Sequence, residues 1–271
     1  MASSNPAFSR NPAFSAQGPQ TKTPVLSSDE LQQMYNAPSA GAQDTERMTY
    51  EDTIAKTTLC FAILVVAAVA GWVLTPALPF LPIVGAIVGL VLGLVNTFKK
   101  EPSPGLILGY AAAEGVFVGG ISFIFENAFG GGLVLQAVLA TLVVVGVTLA
   151  LFRSGKIRAS KKATKVFLIA MVGYMVFSLV NVGMMIFGGT TGAFGLNSTV
   201  HVFGIPLGVI IGLLAVVMAA YSLVLDFDFI QRGVNNGAPR KFGWSGAFGI
   251  MVTVVWLYVE LLRLFAILRS N

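Results

Sequence analysis

The chain has 271 residues, of which 55% are apolar and 11% are charged, and its mean hydropathy is +0.81. This composition excludes an ordinary soluble domain, because apolar runs of about 20 residues, the length that crosses ~30 Å of hydrocarbon, recur along it. The alternating ten-residue segments of a β-barrel do not occur in the sequence. The net charge of +5 is therefore a topology signal and does not indicate nucleic-acid binding.

The first fifty residues are polar and rich in Pro, Ser, Ala, Gln and Asn, so they cannot bury enough apolar surface to fold alone. We expect a disordered cytoplasmic tail over residues 1–50 and a transmembrane domain over residues 51–271. The pentapeptide Asn-Pro-Ala-Phe-Ser occurs twice, at 5–9 and 11–15, which fits either a docking peptide or a plain disordered tail. Ser27 and Glu30 have the spacing of a capping box and predict a short helix there.

Seven apolar segments follow the tail, and each predicts a membrane-spanning helix. The predicted spans cover residues 54–74, 78–98, 106–125, 133–152, 166–187, 202–225 and about 247–268. Thr49 and Asp52 are spaced to cap the first helix. The connections are short, which leaves no room for a second globular domain.

The Lys and Arg residues are distributed very unevenly between the two ends of the predicted spans. Fifteen lie in or beside the tail and the 2–3, 4–5 and 6–7 connections, and none lies in the other three connections. Because positively charged connections stay in the cytoplasm, we expect the N-terminus inside the cell and the C-terminus outside.

Two spans carry glycine at every fourth position, a spacing that lets helix backbones approach closely. We interpret these glycines as packing seams. The glycines are Gly85, Gly89 and Gly93 in the second span and Gly204, Gly208 and Gly212 in the sixth.

Enzyme signatures are weak. His201 is the only histidine, which excludes a paired-histidine metal site. The stretch from Gly243 to Gly246 matches the Gly-x-Ser-Gly pattern of membrane serine proteases, but the expected topology puts Ser245 and His201 about 30 Å apart. The one cysteine, Cys60, lies in an apolar run and fits a core position. We expect neither enzymatic activity nor a cofactor.

Two acidic residues, Glu114 and Glu260, fall within the apolar spans, and two more, Asp226 and Asp228, come directly after the end of the sixth span. An ionisable group at membrane depth costs about 2.5–3.5 kcal/mol on insertion scales and indicates a functional site. Asp226 and Asp228 are about 200° apart around a helix, so they face different ways. The alternative is that both lie at a span end among headgroups, or that each acid is neutral and hydrogen-bonded in a packed bundle.

Carboxylates facing the interior of a bundle suit a hard cation such as Ca²⁺, or a proton relay. Here the charged oxygens are too few for tight chelation, which favours weak binding in a leak. Arg263 follows Glu260 by one turn on the same face, so a Glu260–Arg263 pair explains both. Thr253 lies on the same stripe of the seventh span as Glu260.

Three motifs together resemble the Bax inhibitor family in its bacterial YccA-like branch, over about residues 54–268 and without the tail. They are Glu114-Gly115, the run Leu225-Asp226-Phe227 with Ile230, and Leu257-Tyr258-Val259-Glu260 followed by Leu261-Leu262-Arg263-Leu264-Phe265. The resemblance implies six helices around a central seventh, a bacterial inner membrane and a pH-sensitive calcium leak.

The resemblance also implies a sensor in which two aspartates on the last two spans share a proton-linked hydrogen bond. Asp226 matches the sixth-span aspartate. The second aspartate of the family aligns with Thr253 if the Leu-Leu-Arg motif at the end of the seventh span sets the alignment. It aligns with Glu260 if the Leu-Tyr-x-acid motif sets it. Depth favours Thr253, because Glu260 lies about 20 Å from the cytoplasmic end of its helix.

A basic residue at the end of the second span latches to the sixth-span aspartate in that family. Lys99 or Lys100 occupies this position, and Arg263 is a further latch candidate. Asp228 or Glu114 could substitute for the missing second aspartate.

We therefore expect an inner-membrane cation leak that conducts Ca²⁺ and has Asp226 as its key carboxylate. The alternative is a non-transporting regulator that binds a membrane protease or another membrane partner through its tail. A proton-coupled transporter is a third class, weakened by the lack of a clear repeat or broken helix. We expect the lipid bilayer as a partner in addition to a possible membrane protease. The sequence is compatible with a monomer and with a homo-oligomer.

Overall fold

The computed structural model describes residues 46–190 and 192–270, and this part of the chain is built from long helices. The seven long helices are α1 (Tyr50–Leu74), α2 (Leu81–Phe98), α3 (Pro104–Phe129), α4 (Leu133–Arg153), α5 (Lys161–Ile186), α6 (Leu207–Asn235) and α7 (Gly243–Ser270). All seven are long and apolar enough to cross a membrane. The predicted all-α, seven-span architecture is confirmed, whereas the repeat and the Ser27 capping box lie outside the described residues.

Short elements fill two of the connections. A one-turn helix, Leu196–Thr199, precedes a small hairpin of β1 (His201–Val202) and β2 (Ile205–Pro206), in which His201 is paired with Pro206. A 3-10 turn, Arg240–Phe242, leads into α7.

The helix starts follow from capping chemistry. Thr49 has extended backbone, and its hydroxyl accepts a hydrogen bond from the Asp52 N–H at 3.1 Å, as the spacing predicts. Ser160 caps α5 in the same way through the Ala163 N–H. Pro82 and Pro104 lie in the first turns of α2 and α3, where a backbone N–H has no helical acceptor.

The predicted sixth span, 202–225, is wrong at both ends. Val202 belongs to the hairpin, and Gly204 lies in its turn with a φ of 79°, so Gly204 is not part of a helical glycine seam. At the other end α6 continues ten residues beyond Leu225. The drop in hydropathy at Asp226 does not mark the end of the helix, because the polar side chains there have partners on the helix itself and on α7.

The last helix, α7, is the centre of the bundle. In its most apolar stretch 61% of the residues are buried, against 6% in α5. α1, α3, α4 and α6 pack directly against α7, and its fully buried side chains include Met251, Leu257 and Leu262. The central position of the C-terminal helix agrees with the expectation.

Glycines let several helices approach one another closely. A Cβ atom on Gly85 of α2 would lie 2.9 Å from the Ala113 carbonyl oxygen of α3. On α6, a Cβ on Gly208 would lie 2.6 Å from Ile267, and one on Gly212 would lie 3.0 Å from Leu264, both on α7. The packing-seam interpretation is confirmed for α2 and for these two glycines of α6.

Candidate functional site

The strongest candidate site joins Asp226 of α6 to Thr253 of α7. Asp226 lies nine residues before the end of α6, and Thr253 lies ten residues after the start of α7. At 1.5 Å per residue both are about 14–15 Å from the same end of the bundle. The Thr253 hydroxyl donates a hydrogen bond to Asp226 Oδ2 at 2.7 Å.

Space for this carboxylate comes from Gly249, one turn before Thr253. A Cβ atom at Gly249 would lie 2.7 Å from Asp226 Oδ1, so a larger residue would displace the carboxylate. Ser222, one turn before Asp226, places its hydroxyl 3.2 Å from Thr253 Oγ1. Because Thr253 has one hydroxyl proton and gives it to Asp226, Ser222 donates to Thr253, and the three side chains form a hydrogen-bonded row.

The Asp226 carboxylate is hydrogen-bonded by this row, and no cationic side chain of the described residues pairs with it. Across residues 46–190 and 192–270, the Lys and Arg residues that form ion pairs do so with Asp52, Glu101, Asp228 and Glu260. Asp226 is half-buried, and Thr253 is only 4% exposed. A carboxylate placed in this way can take up either a proton or a passing cation.

Glu260 belongs to a separate cluster deeper along α7. It is 3% exposed, it forms an ion pair with Arg263, and it accepts hydrogen bonds from the Tyr174 hydroxyl of α5 and from Trp256 Nε1, the latter at 3.3 Å. Arg263 also donates to the Tyr174 oxygen at 3.2 Å. The predicted Glu260–Arg263 pair is confirmed, and it neutralises both charges.

Glu114 occupies the interface between α2 and α3. A Cβ atom on Gly89 of α2 would lie 2.7 Å from Glu114 Oε1, and one on Gly93 would lie 3.2 Å from the Tyr110 ring. The seam of α2 therefore accommodates polar side chains of α3 as well as backbone. Glu114 is ten residues from the start of α3, about 15 Å and the same depth as Asp226, but the two carboxylates face different helix pairs.

The chain also matches a known protein family. The model of a family described as Bax inhibitor 1 like matches residues 5–270. The chain belongs to the Bax inhibitor 1 like family. No curated protein matches it. The family match includes most of the N-terminal tail, which the resemblance drawn from motifs leaves out.

The Bax inhibitor resemblance gives the place of a second aspartate to either Thr253 or Glu260, and the structure puts these two residues in different surroundings. The Asp226–Thr253 hydrogen bond places Asp226 and Thr253 at one level. Glu260 is seven residues farther along α7, about 10 Å deeper, and is bound to Arg263 and Tyr174. The row thus contains one carboxylate, and Thr253 contributes a proton donor that carries no charge.

The structure does not bring the candidate latch residues to Asp226. Lys99 and Lys100 follow the end of α2, and neither forms an ion pair in the described part of the chain. The neighbouring Glu101 instead accepts from Lys241 at 2.7 Å, and this hydrogen bond, together with the ammonium charge, lowers the pKa of Glu101. Arg263 is held by Glu260.

Asp228 faces away from the row, as helix geometry predicts. It pairs with Arg232, one turn later on α6, at 2.7 Å. Asp226 and Asp228 therefore act in different surroundings although they are two residues apart.

Sequence reasoning missed Ser222 and Tyr174. Ser222 precedes Asp226 by four residues, so helical spacing alone could have placed both on one face. Tyr174 is a polar residue within an apolar span, which is a weak signal, and nothing local to α5 connects it to Glu260, 86 residues later.

Proposed function

We propose that this Bax inhibitor 1 like protein is a pH-sensitive cation leak, with Ca²⁺ as the transported ion and Asp226 as its key carboxylate. The observation that supports this most directly is the Asp226 side chain in a spanning helix, bound by Thr253 at 2.7 Å and seated against Gly249. When ionised, the Asp226 carboxylate offers a hard cation two oxygen ligands. When protonated, it loses the charge that attracts the cation. Flux through such a site depends on pH.

The scarcity of ligands supports a leak over a storage site. Within the described ranges, no three His, Cys, Asp or Glu side chains converge to hold a metal ion. Ca²⁺ normally takes 6–8 oxygen ligands, so a lone carboxylate binds it weakly and releases it readily. From the sequence, in which His201 is the one histidine, we also propose that the protein is not an enzyme and needs no cofactor.

The hydrogen bond between Asp226 and Thr253 also gives protonation a structural effect. A bond to an ionised acceptor is roughly twice as strong as one between neutral groups. Protonating Asp226 therefore weakens a link between α6 and α7. Leu223 and Met251 beside this link are completely buried, so we expect ion passage to require separation of these two helices. Protonation favours that separation and at the same time removes the charge that attracts the cation.

The test is Ca²⁺ flux into proteoliposomes of the purified full chain at pH 6, 7 and 8. Wild type is compared with Asp226→Asn, which fixes a neutral side chain of the same shape. We expect the wild-type flux to change with pH, and the variant to show one flux at all three values, close to that of the protonated wild type.

Asp228→Asn is the matched control, because it removes the same charge two residues away from a side chain that faces Arg232. It should keep the wild-type pH dependence. If folded wild-type protein shows no flux at any pH, or if both variants change the profile equally, the proposal fails.

A second candidate function, regulation of a membrane partner such as a protease through the tail, is supported by residues 46–49. Met48 is 2% exposed, and its N–H donates to the Ala238 carbonyl at 2.7 Å. The Arg240 N–H in turn donates to the Glu46 carbonyl at 2.7 Å. A partner that binds the tail therefore acts on a segment fixed to the connection between α6 and α7.

Deleting residues 1–45 separates the two functions, because the docked segment is kept. A leak should keep its flux in proteoliposomes after the deletion. A regulator should lose its effect on the partner in cells while the seven helices remain folded.

We further propose that the protein resides in a bacterial inner membrane with its N-terminus in the cytoplasm. Fifteen of its seventeen Lys and Arg residues lie in or beside the segments at one end of the helices, and this end is the cytoplasmic one by the positive-inside rule.

A further inference from the structure

A groove opens between α5 and α6 at the end of the bundle that carries the basic connections. Its volume is about 550 Å³. One part of its lining is cationic, with Lys161, Lys165 and Arg232, and the other part is apolar, with Leu168, Ile169 and Leu225. The groove is therefore amphipathic along its length.

The cationic part has more positive charge than its neighbours neutralise. Residues 153–165 contain six Lys or Arg and no acidic residue. Asp228, the one carboxylate that lines the groove in the described ranges, is paired with Arg232. In the part of the chain that the structure describes, neither Lys161 nor Lys165 forms an ion pair. An anion in the groove would meet both ammonium groups.

Hydroxyl groups fix the geometry of this end of α5. Thr164 Oγ1 lies 3.0 Å from the Tyr221 hydroxyl of α6, and Ser160 caps the helix through the Ala163 N–H. The start of α5, with its aligned peptide dipoles, is thus held against α6 beside the two lysines. The lysines project from a fixed helix end and not from a loose loop.

The apolar part of the groove faces the bilayer. Leu168 and Ile169 are 55% and 64% exposed, and α5 is the least buried of the seven helices. The groove is therefore open to lipid from the side. A ligand that fills both parts has an anionic head at the membrane surface and hydrocarbon below it.

We propose that this groove binds an acidic phospholipid, with the phosphodiester between Lys161 and Lys165 and an acyl chain along Leu168, Ile169 and Leu225. Basic pockets between spanning helices are suited to anionic headgroups, and each Lys or Arg near the membrane surface contributes about 1 kcal/mol of attraction. A soluble phosphate would use the lysines but leave the apolar part uncovered. This site is separate from the Asp226 row.

Thermal unfolding of the full chain in a neutral detergent tests the site. Titration with phosphatidylglycerol should raise the unfolding temperature saturably, because a ligand that binds only the folded state stabilises it. Phosphatidylcholine and glycerol phosphate should each have much less effect. Lys161→Gln with Lys165→Gln should weaken the apparent affinity for phosphatidylglycerol about tenfold or more.

Arg153→Gln with Lys156→Gln is the matched control, because it removes the same charge from the same connection outside the groove. This pair should bind phosphatidylglycerol like wild type, and so should Lys161→Arg with Lys165→Arg. Leu168→Ser with Ile169→Ser, which leaves the lysines in place, should also weaken phosphatidylglycerol binding.

Three results would overturn the proposal. If both double Lys/Arg→Gln variants weakened phosphatidylglycerol binding equally, the lipid would be responding to diffuse surface charge and not to a specific site. An equal response to phosphatidylcholine would show that the anion plays no part. Saturation by glycerol phosphate with the same affinity would identify a soluble phosphate as the ligand.

Discussion

Asp226 shows how one side chain in a spanning helix depends on two neighbours. Thr253 supplies the proton of a hydrogen bond, and Gly249 supplies the space. Since Thr253 carries no ionisable proton, the row contains one titratable group, in contrast to a pair of carboxylates, which titrates in two coupled steps. The proposed pH dependence of this protein therefore involves one protonation step at this row.

Thr253→Val should destabilise the protein by about 1–3 kcal/mol, because it leaves a half-buried carboxylate without its donor. Thr253→Ser keeps a hydroxyl at the same place and should cost much less. Unfolding temperatures in detergent at neutral pH provide the comparison. Equal stability of the valine and serine variants would mean that the hydrogen bond contributes nothing.

Gly249→Ala should disturb the same carboxylate by steric contact, because its Cβ would lie 2.7 Å from Asp226 Oδ1. We expect a lower unfolding temperature and a changed pH profile of Ca²⁺ flux. Gly146→Ala on α4 is the control, since a Cβ there meets nothing within 4 Å. That change should be neutral or stabilising by up to about 1 kcal/mol, the helix preference of Ala over Gly.

Among the helices, α5 differs from the rest in how it is held. Its apolar surface is mostly exposed, and polar side chains attach it at three levels: Thr164 to Tyr221, Tyr174 to Glu260, and Asn181 to the Leu196 N–H at 2.7 Å. In lipid, where apolar burial gives helices little reason to associate, such bonds decide whether a helix stays in place. α5 therefore depends on these hydrogen bonds more than on buried apolar surface.

Tyr174→Phe should loosen α5 without breaking the Glu260–Arg263 pair. The lost bonds to Glu260 and Arg263 should cost about 1–3 kcal/mol, since they involve charged groups. Hydrogen exchange of the α5 amides should become faster. Tyr258→Phe, which removes a 2.6 Å bond between α7 and Ser122 of α3, should lower stability but leave α5 exchange at the wild-type rate.

The sequence predicts some properties of these helices better than others. Their number follows from hydropathy, and the depth of Thr253 opposite Asp226 follows from the helical rise per residue. The end of α6 could not be read from hydropathy, because Asp228 is satisfied by Arg232 within the helix and the polar turn stays helical. The contact of Tyr174 with Glu260 joins residues of distant segments, and no local pattern encodes it.

For the whole molecule, the arrangement of helices around α7 came from the family resemblance and not from periodicity. A helix in lipid is apolar on nearly every side, so its sequence gives little sign of which face meets the bundle. Glycines and polar residues are the exceptions. Gly85, Gly208 and Gly212 mark real interfaces because a Cβ atom at each would meet a neighbouring helix.

The placement of charge makes a prediction about the whole molecule that cysteine labelling can check. Cys60 is completely buried and should not react, so single cysteines can be added to the natural chain. Glu101→Cys lies at the basic end of the bundle and Gly131→Cys at the opposite end, and both positions are exposed.

If the basic end is cytoplasmic, a membrane-impermeant maleimide should label Gly131→Cys in intact spheroplasts and should label Glu101→Cys only after the membrane is permeabilised. The reverse pattern would invert the orientation. It would also place the Lys161–Lys165 groove and the docked residues 46–49 on the outer side, where a cytoplasmic partner could reach neither.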